Sequence, residues 1–236
     1  MPLVEADASN LEVVCAAHLS GDKLLTFELM SGVDIHEENR KALNLPDRLT
    51  AKVFVFRLLY GGSKFSYAMD PMFNHISARP DFWEDIINNY YKKYVGLAKW
   101  HKELVHGVER TGQWASPTGR KYLYELYTKP NGQREWPRTT ILNYPVQGLG
   151  ADLMSLARVS LYRRIHHWPN ILFCNTVHDS ILLDVEEVTE KLIEEINMSF
   201  KMIPRNFEKV FGSKFMVPMR CKIKVGNIWK DLKEIE

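Results

Sequence analysis

Cysteine is scarce in this sequence: Cys15, Cys174 and Cys221 are the only three in 236 residues, odd in number and far apart. With no CxxC pair and no Cys/His cluster, neither a disulfide framework nor a zinc site organises the chain, and a reducing compartment is expected. An excess of one charge is also missing. Lys plus Arg number 31 against 29 Asp plus Glu, so the net charge of +2 excludes an evenly basic nucleic-acid coat but leaves room for a local basic cleft. No charged leader precedes an apolar core at the start of the sequence, and no apolar run approaches the length that spans a bilayer. The expectation is a cytoplasmic protein with no membrane partner. There is no fixed-period repeat, and the Gly/Pro-rich points "LNLPDR", "SARPD", "SPTGR" and "KPNGQREWP" are local turns rather than linkers.

What is present is enough apolar residue, 45%, to bury a sizeable core. "LVEAD" (Leu3 to Asp7) reads as a short strand ending in an acid, and "SNLEVVCAAHL" as a helix that Ser9 could cap, so a strand-to-helix junction presents Asp7. From Arg40 to Tyr60 the pattern is helical, interrupted by "LNLPDR", whose Asp47 is a cap for the second helix. Pro80 to Gly112 gives one long or two consecutive amphipathic helices, "TGRKYLYELYTKPNGQ" a ribbon, and "GADLMSLARVSLYRRIHHW" another helix. "NILFCNTVHDSILLDV" is two β-rich runs broken by His-Asp-Ser, as in a tight antiparallel hairpin. "VTEKLIEEINMSFKMIP" returns to helix, and "FMVPMRCKIKVG" reads as a last strand.

Arg48, Lys52, Phe56 and Tyr60 are spaced by four. Four residues drift only about 40° around a helix, so the set makes one slanted stripe roughly 18 Å long, two cations followed by two aromatics. Val53, Leu58 and Leu59 can serve the core side and leave the stripe to line a cleft. There Arg48 and Lys52 suit a triphosphate, Phe56 a sugar or base, and Tyr60 the floor beneath; a solvated cationic turn followed by core aromatics is the plainer alternative.

Asp7 at a strand end and Asp179 at the hairpin turn are the two acids of interest. Phosphoryl transfer through two magnesium ions about 3.5 to 4 Å apart needs carboxylates on rigid strands, and two acids at adjacent strand ends meet that need. Taken singly, such an acid is more often a turn former or a helix cap, and a histidine like His178 most often structural. "NYPVQGLGADL" sets Asn143 and Gln147 one helical spacing apart beside two glycines. Such amides can donate to the purine N3 and pyrimidine O2 acceptors that nearly every base pair presents in the minor groove; a capping Asn and a surface Gln remain the alternative.

Together these residues resemble family A DNA polymerases, of the bacterial polymerase I and phage replicative type, over practically the whole chain. The first family motif, Asp followed five residues later by Glu, stands as "DASNLE" (Asp7, Glu12); the second, Arg-x3-Lys-x3-Phe/Tyr-x3-Tyr-Gly, is the stripe; the third, Val-His-Asp-Glu, stands as "VHDS". "DIHEENRKALNLP" is similar to the family's His-bearing helix, "NYPVQGLGADL" to its Asn-x3-Gln-Gly segment, and "VGNIW" to its last strand and Trp.

The resemblance implies an α+β fold. An antiparallel palm sheet would be built from Leu3 to Asp7, the Ile171 to Val185 hairpin and a Met216 to Val225 strand, with a mostly helical fingers insertion. Residues 1–22 and 141–236 would form the palm and 23–140 the fingers. It further implies that Asp7 and Asp179, with the Ala8 carbonyl, hold two Mg2+ ions. Arg48, Lys52 and His36 would bind the incoming deoxynucleoside triphosphate, with Lys52 donating a proton to the leaving pyrophosphate. Phe56 would stack on the nucleotide and, being Phe rather than Tyr, discriminate against dideoxynucleotides. Glu12 and Tyr60 would exclude a 2′-hydroxyl, Asn143 and Gln147 would contact the nascent pair and template of primer-template DNA, and His178 the primer end.

Two positions depart from the pattern: Ser180 replaces the usual Glu after the catalytic Asp, and Val14 stands where Arg is common. "VHDS" and "YGGSKF" also resemble single-subunit RNA polymerases, a reading opposed by Glu12; a non-catalytic DNA-binding subunit of a replication complex is the reading from another class. The family normally has a thumb and part of the palm before its first motif, often preceded by a 3′–5′ exonuclease. Because Asp7 stands so near the start of this sequence, the expectation is a split polymerase, completed by a second protein chain with the thumb and with or without that exonuclease. In that reading the enzyme works in the cytoplasm, of a bacterial host cell if the gene is phage-encoded.

Overall fold

A computed structural model describes residues 2–235. In chain order it contains β1 (Leu3–Ala8), α1 (Leu11–Ser20), α2 (Lys23–Ser31), α3 (Ile35–Ala42), α4 (Arg48–Leu59), α5 (Lys64–Ala68), α6 (Pro71–Asn74), α7 (Pro80–Lys93) and α8 (Val95–Thr111). Two small hairpins follow, β2 (Gln113–Ala115) with β3 (Lys121–Leu123) and β4 (Tyr127–Thr128) with β5 (Arg134–Glu135). The rest comprises α9 (Arg138–Ile165), β6 (Ile171–Val177), β7 (Ser180–Val185), α10 (Glu190–Lys201), α11 (Ile203–Phe211), β8 (Cys221–Gly226), a 3-10 turn (Trp229–Asp231) and β9 (Lys233–Ile235). The mixed architecture, helices with one larger antiparallel sheet, is the expected α+β fold.

The chain divides into two compact units, one of Met1–Val14 with Gly148–Glu236 and one of Cys15–Gln147, and the changeovers fall inside α1 and α9. The first unit is built on the five-stranded sheet β6-β7-β1-β8-β9, antiparallel throughout. β1 is central, and alternation decides its two faces. Val4, Ala6 and Ala8 are at most 2% exposed and form part of the core, whereas Glu5 and Asp7 point to the opposite face. The second unit is helical around an aromatic core in which Phe54, Tyr67, Phe73, Trp83 and Tyr90 are fully buried. Their rings meet at 4.9 Å for Phe54–Tyr67, 5.4 Å for Tyr67–Trp83 and 5.9 Å for Phe54–Tyr90, within the range in which aromatic pairs gain beyond area alone. A smaller cluster joins Leu104, Val105 and Val108 of α8 to Tyr124, Ile141 and Leu142.

Several elements differ from the sequence reading. The helix read over 188–204 ends at Lys201, and a second, α11, follows from Ile203, because Pro204 lacks a backbone donor and is at home only in the first turn of a helix. The last long strand begins at Cys221 instead of Met216, since Pro218 has no N–H to give a ladder, although Val217 and Met219 are still buried. α9 runs for 28 residues straight through Pro145, so Asn143 and Gln147 lie on a helix. The ribbon is two hairpins. Pro80 to Gly112 is two helices that meet at Tyr94, as one of the alternatives had it.

Asp47 caps α4 as expected, its carboxylate accepting from the Thr50 N–H at 2.9 Å. Asp22 does more. Only 2% exposed, it accepts from Leu25 N–H at 2.9 Å at the start of α2 and from Leu97 N–H at 3.1 Å at the start of α8. One carboxylate thus satisfies orphan donors of two helices 75 residues apart. Asp22→Ala is expected to lower stability by about 2–3 kcal/mol, a lost cap plus a stranded buried donor. Urea unfolding checks this; a change under about 0.5 kcal/mol, the scale of an ordinary surface substitution, would contradict it.

Candidate active site

The antiparallel register of β1 against β7 sets Asp7 opposite Ser180. Asp179 is the last residue of a two-residue connection between β6 and β7, whose first residue, His178, lies at φ 51°, a left-handed conformation uncommon outside glycine. The Ala8 N–H donates to the Asp179 carbonyl at 2.8 Å, tying the turn to the end of β1. Asp7 and Asp179 are therefore brought together at adjacent strand ends, both half-buried, with His178 exposed beside them. Burial and then the charge of Asp7 push the Asp179 carboxyl above its usual range. Glu12 lies in the first turn of α1, two residues after the β1 junction residue Asn10 at φ 54°.

A cation already answers part of this negative charge. Lys224 Nζ on β8 donates to Asp7 Oδ2 at 2.8 Å and to Glu5 Oε2 at 2.9 Å. The hydrogen bond it donates to Asp7 leads the causes that hold the Lys224 ammonium well above its ordinary value, against some loss of hydration. Burial raises Glu5, but hydrogen bonds from Lys224 and Trp229 and the charge of Lys224 outweigh it and leave its carboxyl below the ordinary value. Ser180, where the family pattern has a Glu, is buried, and its hydroxyl donates to the Val177 carbonyl at 3.2 Å across the turn.

The second group lies on α3, α4 and α9. Arg48 and Lys52 are exposed and Phe56 and Tyr60 half-buried, while Thr50, Ala51, Phe54, Val55, Leu58 and Leu59 face the core. The stripe is thus one accessible face, with Tyr60 one residue past the helix end. The core side differs in one residue from expectation, since Val53 is only half-buried and Phe54 carries that packing. Arg48 Nε bonds Asp34 Oδ2 at 2.5 Å, and Lys52 Nζ sits 5.6 Å from the Phe56 ring centre. His36 is 2% exposed, its ring 5.7 Å from that of Phe56, and neither of its nitrogens has a hydrogen-bond partner. Burial, reinforced by Arg48 and Lys52 and opposed by Asp34, lowers its pKa from 6.5 to about 4. Gln147 Nε2 donates to the Tyr60 hydroxyl, so the lower end of the stripe meets α9; Asn143 is one turn earlier on the same helix and half-buried.

The Gly-Gly that follows Tyr60 is required by close approach. Gly61 has φ 83°, and a Cβ there would lie 3.1 Å from Leu142 Cδ1; at Gly62 it would lie 2.7 Å from Arg57 Cγ and 2.9 Å from the Arg57 carbonyl oxygen.

Comparison with known proteins decides what this arrangement is. The model of DNA polymerase family A matches residues 1–231. The chain belongs to DNA polymerase family A. It is 30% identical over 241 residues to the thermostable DNA polymerase I of Thermus filiformis and 28% identical over 245 residues to that of Thermus aquaticus, in each case covering 98% of this chain and 27% of the relative. It spans about a quarter of the length of these curated relatives. Its fold matches a solved structure described as the POL domain of Pol1 from M. smegmatis in complex with DNA primer-template and dNTP. The TM-score is 0.81 at 21% identity, over 97% of this chain and 40% of that one.

Family A polymerases generally use divalent ions, and the donor set here is of the right kind: two carboxylates, one at the end of β1 and one in the adjoining β6–β7 turn. Among the described residues no group of three or more His, Cys, Asp or Glu forms a denser metal centre. The sequence reading missed Glu5, Lys224 and Trp229, as well as Asp34. The period-two spacing of Glu5 with Asp7, and of Lys222 with Lys224, held a usable signal for a charged sheet face.

Because His36 is neutral when folded and titrates near 6.5 when exposed, its contribution to stability is complete above about pH 6.5 and is lost as pH falls towards 4. His36→Gln is therefore expected to flatten the acid limb of the stability curve between those values by about 1–3 kcal/mol, read from denaturant midpoints at pH 7 and 4.5. An unchanged slope would contradict the burial assigned to this imidazole.

Proposed function

We propose that this chain is the catalytic palm and fingers of a DNA-directed DNA polymerase that extends a primer in cytoplasmic DNA replication. The sheet unit is read as palm and the helical unit as fingers. The observation that carries this reading is the β1–β7 register, which sets Asp7 and Asp179 at adjacent strand ends. The reaction is attack of a primer 3′-hydroxyl on the α-phosphate of a deoxynucleoside triphosphate, with pyrophosphate leaving. Two Mg2+ ions held by Asp7 and Asp179, with the Ala8 carbonyl as a further ligand, would supply the Lewis-acid charge that stabilises the attacking and leaving oxygens.

The chain's own residues bind and orient the substrates. Arg48 and Lys52 bind the triphosphate, the accessible cationic end of the stripe supporting this role. Lys52 also donates a proton to the leaving pyrophosphate. His36 completes the cradle. Its two unbonded ring nitrogens leave a donor for a phosphate oxygen, and a polyanion alongside would raise the proton affinity that burial has lowered. Phe56 stacks on the nucleotide and disfavours dideoxynucleotides. Glu12 and Tyr60 exclude the 2′-hydroxyl, the bond from Gln147 holding the Tyr60 ring in place. Asn143 and Gln147 contact the nascent pair and template, and His178 the primer end. Nothing in the comparisons adds a second protein chain to this reading.

The test is primer extension by the purified chain with Mg2+ and deoxynucleotides, alone and with a thumb-bearing segment supplied in trans. Asp7→Ala and Asp179→Ala are each expected to lower incorporation at least about 10²-fold while circular dichroism is unchanged. Activity retained in either variant would overturn the assignment. Glu12→Ala should raise ribonucleotide use relative to deoxynucleotide use at least about tenfold. Equal use of both by the unaltered chain would instead indicate an RNA polymerase.

A further inference from the structure

Lys224 occupies a position between two carboxylates of the same strand that differ in kind. Register pairs it directly with Glu5, and its bond to Asp7 is diagonal; Lys222, directly opposite Asp7, turns away to Glu234 at 2.8 Å. Glu5 is the fixed partner. Its side chain is 11% exposed, and its second oxygen accepts from Trp229 Nε1 at 3.1 Å. Asp7 is the open partner, its side chain 30% exposed.

We propose that Lys224 is a resident counter-ion for Asp7 that a divalent cation must displace, and that Glu5 is the anchored carboxylate to which the displaced ammonium retires. This deepens the polymerase reading and rests on it. Two carboxylates at adjacent strand ends repel, and one ammonium beside Asp7 relieves that repulsion while no divalent ion is bound. An entering divalent ion would take Asp7 Oδ2 and repel the ammonium. The lysine stem is flexible and already holds Glu5, so Lys224 can release Asp7 without losing its second carboxylate. The Trp229 indole keeps Glu5 from following. The affinity for the divalent ion is then set by competition, weaker than the two acids alone would give. Beyond its own charge, Glu5 acts on it through Lys224, as a positioning residue.

The experiment is Mn2+ binding to the full chain without DNA or nucleotide, followed by electron paramagnetic resonance. Lys224→Met is expected to tighten Mn2+ binding about tenfold, the effect of a unit charge on a divalent ion about 5 Å away in a water-like dielectric. Glu5→Gln is expected to weaken it severalfold, because the ammonium is left with Asp7 alone. In the double variant, Glu5→Gln should weaken binding less than it does alone, because only its own charge is then lost and its hold on the ammonium no longer counts. Unchanged or weaker binding in Lys224→Met, or an equal effect of Glu5→Gln in both backgrounds, overturns the proposal. Should Lys224→Met fail the accompanying circular-dichroism check for folding, Lys224→Gln is read in its place, with the same expected and overturning results. Asp7→Asn separates the two levels. Binding that survives in Asp7→Asn overturns the metal assignment and this inference together, whereas binding lost there but indifferent to Lys224 overturns the inference alone.

Discussion

The structure of the sheet unit depends on one constraint: two like charges must be held side by side at the ends of neighbouring strands. Isolated carboxylates avoid each other, so the surrounding chain has to fix both and offset the repulsion. The β1–β7 ladder does the fixing, and the hydrogen bond from Ala8 N–H to the Asp179 carbonyl closes the turn against β1. His178 accepts a left-handed backbone so that Asp179 can follow it immediately. The offset is supplied by Lys224, while burial first, and then the charge of Asp7, still raise the Asp179 carboxyl. The apolar face of β1, with Val4, Ala6 and Ala8 fully buried or nearly so, keeps the strand from slipping, since a one-residue slip would turn Glu5 and Asp7 into the core.

The helical unit solves a different problem with one helix. α4 gives Phe54, Val55, Leu58 and Leu59 to the interior and keeps Arg48, Lys52, Phe56 and Tyr60 on the outside. Anchoring one side in an aromatic core holds the other at a fixed height, which suits a surface that must present charge and ring in sequence. The asymmetry within the stripe follows the same logic: Arg48 is held by Asp34, and Tyr60 by Gln147.

Much of this was legible in the sequence, for a physical reason. Spacing by four on α4, the cap at Asp47 and alternation along β1 are local properties, and each survives into the fold. The antiparallel sheet and the hairpin with Asp179 in its turn follow equally from period two and a polar break. What escaped was non-local. Lys224 lies 217 residues from Asp7, and nothing near either announces the other. Asp22 carries no local mark of its second role, since its hold on α8 depends on a helix 75 residues away. Local misses had local causes too: Pro204 starts a helix and Pro218 delays a strand, choices between two allowed uses of proline. The register shift between Phe173 and Asn175 in β6 left no mark in the residue pattern at all.

The central position of β1 also has a bearing on time. Both strands that flank it, β7 and β8, lie more than 170 residues further along the chain. At about 5–20 residues per second, a ribosome needs roughly 10–40 s between making Asp7 and making Lys224. During that interval β1 has neither neighbour, while residues 15–147 are already available to form their own core. Asp7 is thus made well before the strands that flank it, and it meets Asp179 and Lys224 only after the whole helical unit has been synthesised.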